Sequence, residues 1–228
     1  MSVAAESETA TTVRIMLDSG EVSVSQSLRQ LAFTVRSIHC DAVEALATAP
    51  DASPIGSRDG HVDRLAAMID RSVSRGMADL REVDALGTTR PALFESWTAM
   101  RELCRFREAA AEVGRAAASL DGPPAEPRLK TRRDVGRAVR EVVADGVSVA
   151  LGDAGANVAR AALEGLRRIR DELDALDRAG ADAAELRRAS RALRRTADRG
   201  GDVTEIGLRR AVRRREPIRD REPGPANR

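Results

Sequence analysis

Leu103-Cys104-Arg105-Phe106-Arg107-Glu108-Ala109-Ala110-Ala111-Glu112-Val113 and Leu193-Arg194-Arg195-Thr196-Ala197-Asp198-Arg199-Gly200-Gly201-Asp202-Val203 share one skeleton, ninety residues apart. It reads Leu-x-Arg-x-x-acid-x-x-x-acid-Val. Acids four residues apart stand above one another on a helix, so Glu108 pairs with Glu112 and Asp198 with Asp202 in one carboxylate stripe per copy. Self-similarity at a fixed period marks a repeated structural unit. The phrase therefore predicts a duplicated helical bundle rather than an ordinary single-site enzyme.

Outward from the phrase, the surrounding sequence keeps a helical period. The first helix is expected to begin near Ser23 or Ser25, either of which can cap it. Its apolar positions Val24, Leu28, Leu31, Val35, Ile38, Ala42 and Leu46 alternate by threes and fours, as a bundle seam does. A loop over 50–60 precedes a second helix over 61–86, marked by Val62, Leu65, Ile69, Val73 and Leu80. A third helix over 91–120 starts on Pro91, tolerated in a first turn. Asp121-Gly122-Pro123-Pro124 is the strongest punctuation in the chain and marks the boundary between units. Beyond it the scheme repeats with helices over 131–151, 154–177 and 183–212, the last loosened at Gly200-Gly201.

The expectation is an all-α fold: two tandem three-helix units, 21–122 and 129–212, forming a six-helix bundle. A disordered segment over 1–20 precedes them, in which 13–17 (VRIML) alone is β-like. A disordered, Arg-rich tail over 213–228 follows, since Pro217, Pro223 and Pro225 forbid a continuous helix.

Composition agrees. Apolar residues make up 42% of the chain but aromatics only 2%, so Ala, Leu and Val must fill the interior. The summed charge of +2 does not by itself argue for nucleic acid. From residue 208 to the end, however, the charge is roughly +5, with Arg209, Arg210, Arg213, Arg214 and Arg215 forming a candidate basic contact patch. Cys40 and Cys104 lack metal-ligand spacing and read as reduced, buried thiols of a cytosolic protein. No apolar run approaches the ~18 residues of a membrane span, and the opening MSVAAESETATT lacks a signal peptide's basic start and apolar core. A cytoplasmic protein without membrane insertion is expected.

Residues 192–208, ALRRTADRGGDVTEIGL, resemble the last-helix signature of the PhoU family of phosphate-uptake regulators. There the third helix of each unit typically reads Leu-Glu-Arg-Ile-Gly-Asp-His-Ala-x-Asn-Ile-Ala-Glu. Leu193, Arg195, Asp198 and Glu205 fall on matching positions, with Asp202 where Asn is usual. The earlier copy matches at Leu103, Arg105 and Glu108. Val62-Asp63-Arg64-Leu65 looks like the start of a family second helix, and 36–46 fits the first. The stretch 13–28 resembles the junction between an AbrB-like DNA-binding domain and the PhoU region in the archaeal branch that fuses the two; if that branch is the right relative, the expectation is the PhoU region without the AbrB-like domain.

The resemblance, which covers about 13–212, implies a flat bundle of two three-helix units, usually dimeric. It implies a cytoplasmic negative regulator of phosphate transport and homeostasis that contacts the phosphate ABC transporter ATPase or a sensor protein. It further implies iron or zinc held by acid pairs on the third helices, here Glu108, Glu112, Asp198 and Asp202. The first acid of the family pair is replaced in both copies, by Cys104 and by Arg194. A guanidinium offers no lone pair to a metal, so no cofactor is expected.

The favoured function is thus a contact regulator without catalysis. The alternative is a nucleic-acid-associated transcriptional regulator using the Arg-rich C-terminus, because Arg binds phosphates well. A carboxylate-bundle metalloenzyme would need Glu-x-x-His pairs, and neither His39 nor His61 is so placed. Nor do His39 and Cys40 form a base and nucleophile, because adjacent helical residues point about 100° apart. Trp97 and Phe106 are expected to anchor packing.

Overall fold

Ser23 caps the first helix: its Oγ accepts from the Gln26 amide at 3.1 Å, and α1 runs Val24–Thr48. The structure, a computed structural model, describes residues 23–48, 58–179 and 182–215. The expected segment 1–20, most of the 50–60 loop and the tail beyond 215 lie outside the described residues. Six further helices follow: α2 Asp59–Ala78, α3 Leu80–Ala85, α4 Arg90–Ala118, α5 Glu126–Leu151, α6 Ala156–Arg178 and α7 Ala184–Arg215. The fold is all-α, with no strand among the described residues.

α1, α2 and α4 pack on one another, and so do α5, α6 and α7. These two sets meet through α4 against α7 and α1 against α5, which closes the four long helices into a ring. α2 lies outside the ring over α1 and α4, and α6 over α5 and α7. Cross-contacts fix the directions. Glu95 pairs with Arg213, Glu102 with Arg199 and Glu112 with Arg195, so α4 and α7 are antiparallel. Arg29 pairs with Asp153 and Glu44 with Arg133, so α1 and α5 are antiparallel too. One continuous apolar core runs through both sets, including Leu31, Val35, Leu103 and Phe106 from the first and Val139, Leu173, Leu193 and Val203 from the second.

Three sequence expectations need correction. The helix expected over 61–86 breaks at Asp79, whose backbone is extended (φ −131°, ψ 130°) and whose carboxylate caps α3 by accepting from the Arg81 amide at 2.9 Å. Asp favours caps over helix interiors, and the flanking Met77 and Leu80 are 40% and 62% exposed, so no apolar contact opposes the break. α5 begins at Glu126, ahead of the expected 131, because Pro127 sits in its first turn, where no amide is needed. α7 passes through Gly200-Gly201 without loosening and continues to Arg215, past the expected start of the tail.

The glycines of α7 serve close approach instead. A Cβ on Gly207 would lie 2.7 Å from the Gly146 carbonyl oxygen and 3.0 Å from the Ala150 nitrogen, both backbone atoms of α5. Gly200 faces Val143 of α5, and Gly201 faces Leu166 of α6. Thr204 Oγ1 lies 3.1 Å from the Val142 carbonyl of α5 and 2.9 Å from that of Gly200, its hydroxyl directed to backbone acceptors at the tightest point of the seam.

Candidate functional site

The repeated phrase falls on α4 and α7, the two helices that cross the middle of the molecule, and its copies lie antiparallel against each other. Leu103, Phe106 and Val113 from one copy and Leu193, Ala197 and Val203 from the other are fully buried, which explains the apolar letters of the skeleton. The acids go to different partners. Glu112 pairs with Arg195 of the opposite copy. Asp198 Oδ1 accepts from Arg170 of α6 at 2.8 Å, and Asp202 lies 3.1 Å from Arg199. Glu108 stands exposed at a groove between α2 and α4. The four carboxylates do not converge, and among the described residues no group of three or more His, Cys, Asp or Glu is arranged to hold a metal.

Glu102, one residue before the first phrase, was not singled out from the sequence. It is 8% exposed and binds Arg105 of its own helix and Arg199 of α7, the latter at 3.3 Å. Burial, and then the Glu102 carboxylate, raise the Asp202 carboxyl above its usual range. Glu95, seven residues earlier on the same helix face, is also 8% exposed and pairs with Arg213, while Arg210 Nε stands 4.0 Å away. Acids in a heptad relation on an otherwise apolar seam were the available signal.

The basic patch is accordingly not a uniform free surface. Arg210 is 8% exposed. Arg213 is engaged by Glu95, and Arg214 lies against Gly152 at the C-terminus of α5, where the helix dipole favours a cation. Gly152 is left-handed (φ 88°), and a side chain there would meet the Arg214 guanidinium. Arg209 is exposed and Arg215 ends α7.

Cys104 and Arg194, which occupy the same place in the two copies of the phrase, differ sharply. Arg194 crosses from α7 to α6 and donates to Asp174 at 2.6 Å and Asp177 at 2.8 Å. Burial alone would lower its pKa, but the two aspartates outweigh that and raise it. Cys104 lines the α2–α4 groove, a cavity of about 400 Å³, with Ala66, Ala67, Trp97, Met100 and Glu108. Its Sγ contacts Met100 Sδ at 3.9 Å, and burial pushes the thiol up. At Arg194 the guanidinium offers no lone pair to a metal, and among the described residues no three His, Cys, Asp or Glu gather around Cys104. Both cysteines are free and only partly buried, more open than the sequence suggested. Trp97 anchors one wall of the groove: its Nε1 donates to Asp70 at 2.9 Å, and Arg101 lies 4.9 Å over its ring.

His39, by contrast, is wholly buried between Thr196, Arg140 and the Phe106 ring, and it cannot meet a substrate. Arg132 is buried as well, held by Asp182, by Ser190 at 2.9 Å and by the Arg128 carbonyl at 3.0 Å. That knot ties the start of α7 to α5. Removing one partner of such a pair typically costs about 3–5 kcal/mol. No helix is long and apolar enough to cross a membrane among the described residues. The chain matches no protein-family model and no curated protein.

Proposed function

We propose that the chain is a PhoU-type regulator of phosphate uptake, built as two tandem three-helix units and acting by protein contact without chemistry of its own. The observation that carries this reading is the placement of the repeated phrase. Its copies occupy the third long helix of each packed set and lie antiparallel on each other, while the first long helices, α1 and α5, are antiparallel as well. Exchanging the sets maps each of these contacts onto itself, as expected of a duplicated unit with an internal two-fold relation. The partner in this reading is the phosphate transporter ATPase or a sensor protein in the cytoplasm, met by a homodimer of the chain. The nucleic-acid alternative is weaker because Glu95 engages Arg213 and faces Arg210, which reduces the charge available to a phosphate backbone.

The test is phosphate uptake in a strain lacking the gene, grown with phosphate in excess. Unchecked uptake, restored to the normal rate by the intact gene, is the expected outcome. Uptake that is unchanged by the deletion would sink the proposal.

A further inference from the structure

Arg107 of α4 stands between Asp59 and Asp63 of α2, at 3.4 and 3.2 Å. Arg194 of α7 stands between Asp174 and Asp177 of α6, at 2.6 and 2.8 Å. In both sets an arginine of the last long helix bridges two aspartates of the preceding one. The aspartates are four residues apart in α2 and three in α6, spacings that put both carboxylates on one helix face. A planar guanidinium with five N–H donors suits such a pair better than an ammonium would.

The second set carries the arrangement further. One turn beyond Arg194, Arg170 of α6 donates back to Asp198 of α7 through Nη2 at 2.8 Å and Nε at 3.3 Å. Three carboxylates and two guanidiniums therefore interlock along the α6–α7 seam. Metal-binding oxygens need free lone pairs, and in this seam one oxygen of each aspartate, Asp174 Oδ1, Asp177 Oδ2 and Asp198 Oδ1, is already engaged by a guanidinium N–H, which leaves fewer for a cation. An incoming divalent cation would also sit beside two fixed positive charges. We infer that these Arg–Asp–Asp clasps join the second and third long helices of each set in place of a metal, and that the folded chain is metal-independent. The clasps stand on their own geometry; only the reading of Arg194 as the replacement of a metal-binding acid rests on the proposed function.

Thermal unfolding and bound-metal analysis of the full chain test this. Expected for the wild type are an unchanged Tm with chelator or with added zinc or ferrous ion, and no stoichiometric metal after dialysis. Arg194→Gln should lower Tm by about 2–4 °C, and adding Asp174→Asn and Asp177→Asn should cost little more, since all three changes break one network. Stoichiometric zinc or iron in the wild type, a Tm that falls with chelator, or an Arg194→Gln protein as stable as the parent would each overturn the inference. Arg194→Glu restores an acid four residues before Asp198 and separates the two ideas. Zinc bound by that variant alone supports both. Zinc bound by neither protein leaves the clasp standing and weighs against the family reading.

Discussion

His39 shows how a single side chain can carry a pH dependence through the core. Thr196 Oγ1 donates its hydrogen to the Leu193 carbonyl at 2.7 Å, so at 3.1 Å from His39 Nε2 it can only accept. Nε2 therefore carries the proton, and Nδ1 is left to accept from Arg140 at 3.4 Å. A second proton on the ring would face that guanidinium. Burial first, and then Arg140, lower the pKa from 6.5 to about 3. Between those values the unfolded chain binds a proton that the folded chain refuses. Stability from this residue is thus complete above about pH 6.5 and is lost as pH falls, by up to about 1.4 kcal/mol per pH unit. Urea unfolding at pH 7.5 and 5.5 should show the wild type losing on the order of 1 kcal/mol from this residue across that interval. His39→Gln should be less stable at both values but should lose far less between them. Other titrating groups, such as Asp145 with its raised carboxyl, act alike in both proteins and cancel. An equal loss in the two would place the pH sensitivity elsewhere.

At the scale of the element, α7 separates what sequence carries from what it hides. The apolar period of α1 is visible letter by letter, and Leu28, Leu31, Val35, Ile38, Ala42 and Leu46 are all buried as it implies. The carboxylate stripes were visible as spacing, but the fates of Asp198 and Glu112 depend on Arg170 arriving from α6 and Arg195 from the opposite copy, which no local pattern encodes; only the Arg199–Asp202 pair, three residues apart on α7, is local. Gly200-Gly201 misled because glycine lowers helix propensity locally, whereas here the absent side chains let α5 and α6 come close. That difference can be measured. Gly207→Ala places a methyl 2.7 Å from a backbone oxygen that cannot rotate away. Overpacking of this kind costs about 1–3 kcal/mol, more than the gain of about 1 kcal/mol from replacing glycine within a helix. Gly165, on α6, would meet only the far end of Arg168 at 3.8 Å. Gly165→Ala should therefore stabilise by about 0.5–1 kcal/mol. Denaturant midpoints shifting in opposite directions would bear out the close seam; two stabilised variants would mean that α5 and α7 have room to spare.

For the whole molecule, the question is whether two similar sets of helices fold as one body. Their shared surface is an interior, not a contact between finished surfaces. His39 of α1 bonds Thr196 of α7 in the core, and a Cβ on Gly136 of α5 would meet Val43 of α1 at 2.9 Å. Leu103 and Phe106 from one set and Leu193 and Val203 from the other belong to the same apolar cluster. Separating the sets would bare fully buried leucines and the central phenylalanine, each worth about 1.5–3 kcal/mol on burial. It would also break the Glu95, Glu102 and Glu112 pairs with α7. Neither set then has a stable folded form to fall back on, and unfolding should be a single transition. The chain's one tryptophan makes this testable, because Trp97 reports on the first set alone. Leu173 lies fully buried in α6, in the second set, and Leu173→Ala should cost about 2–5 kcal/mol. Trp97 fluorescence and helical circular dichroism should then move to the same lower urea midpoint. A Trp97 transition left at its wild-type midpoint while the dichroism splits in two would show that the first set stands without the second, and that the shared core is a docking surface between independent units.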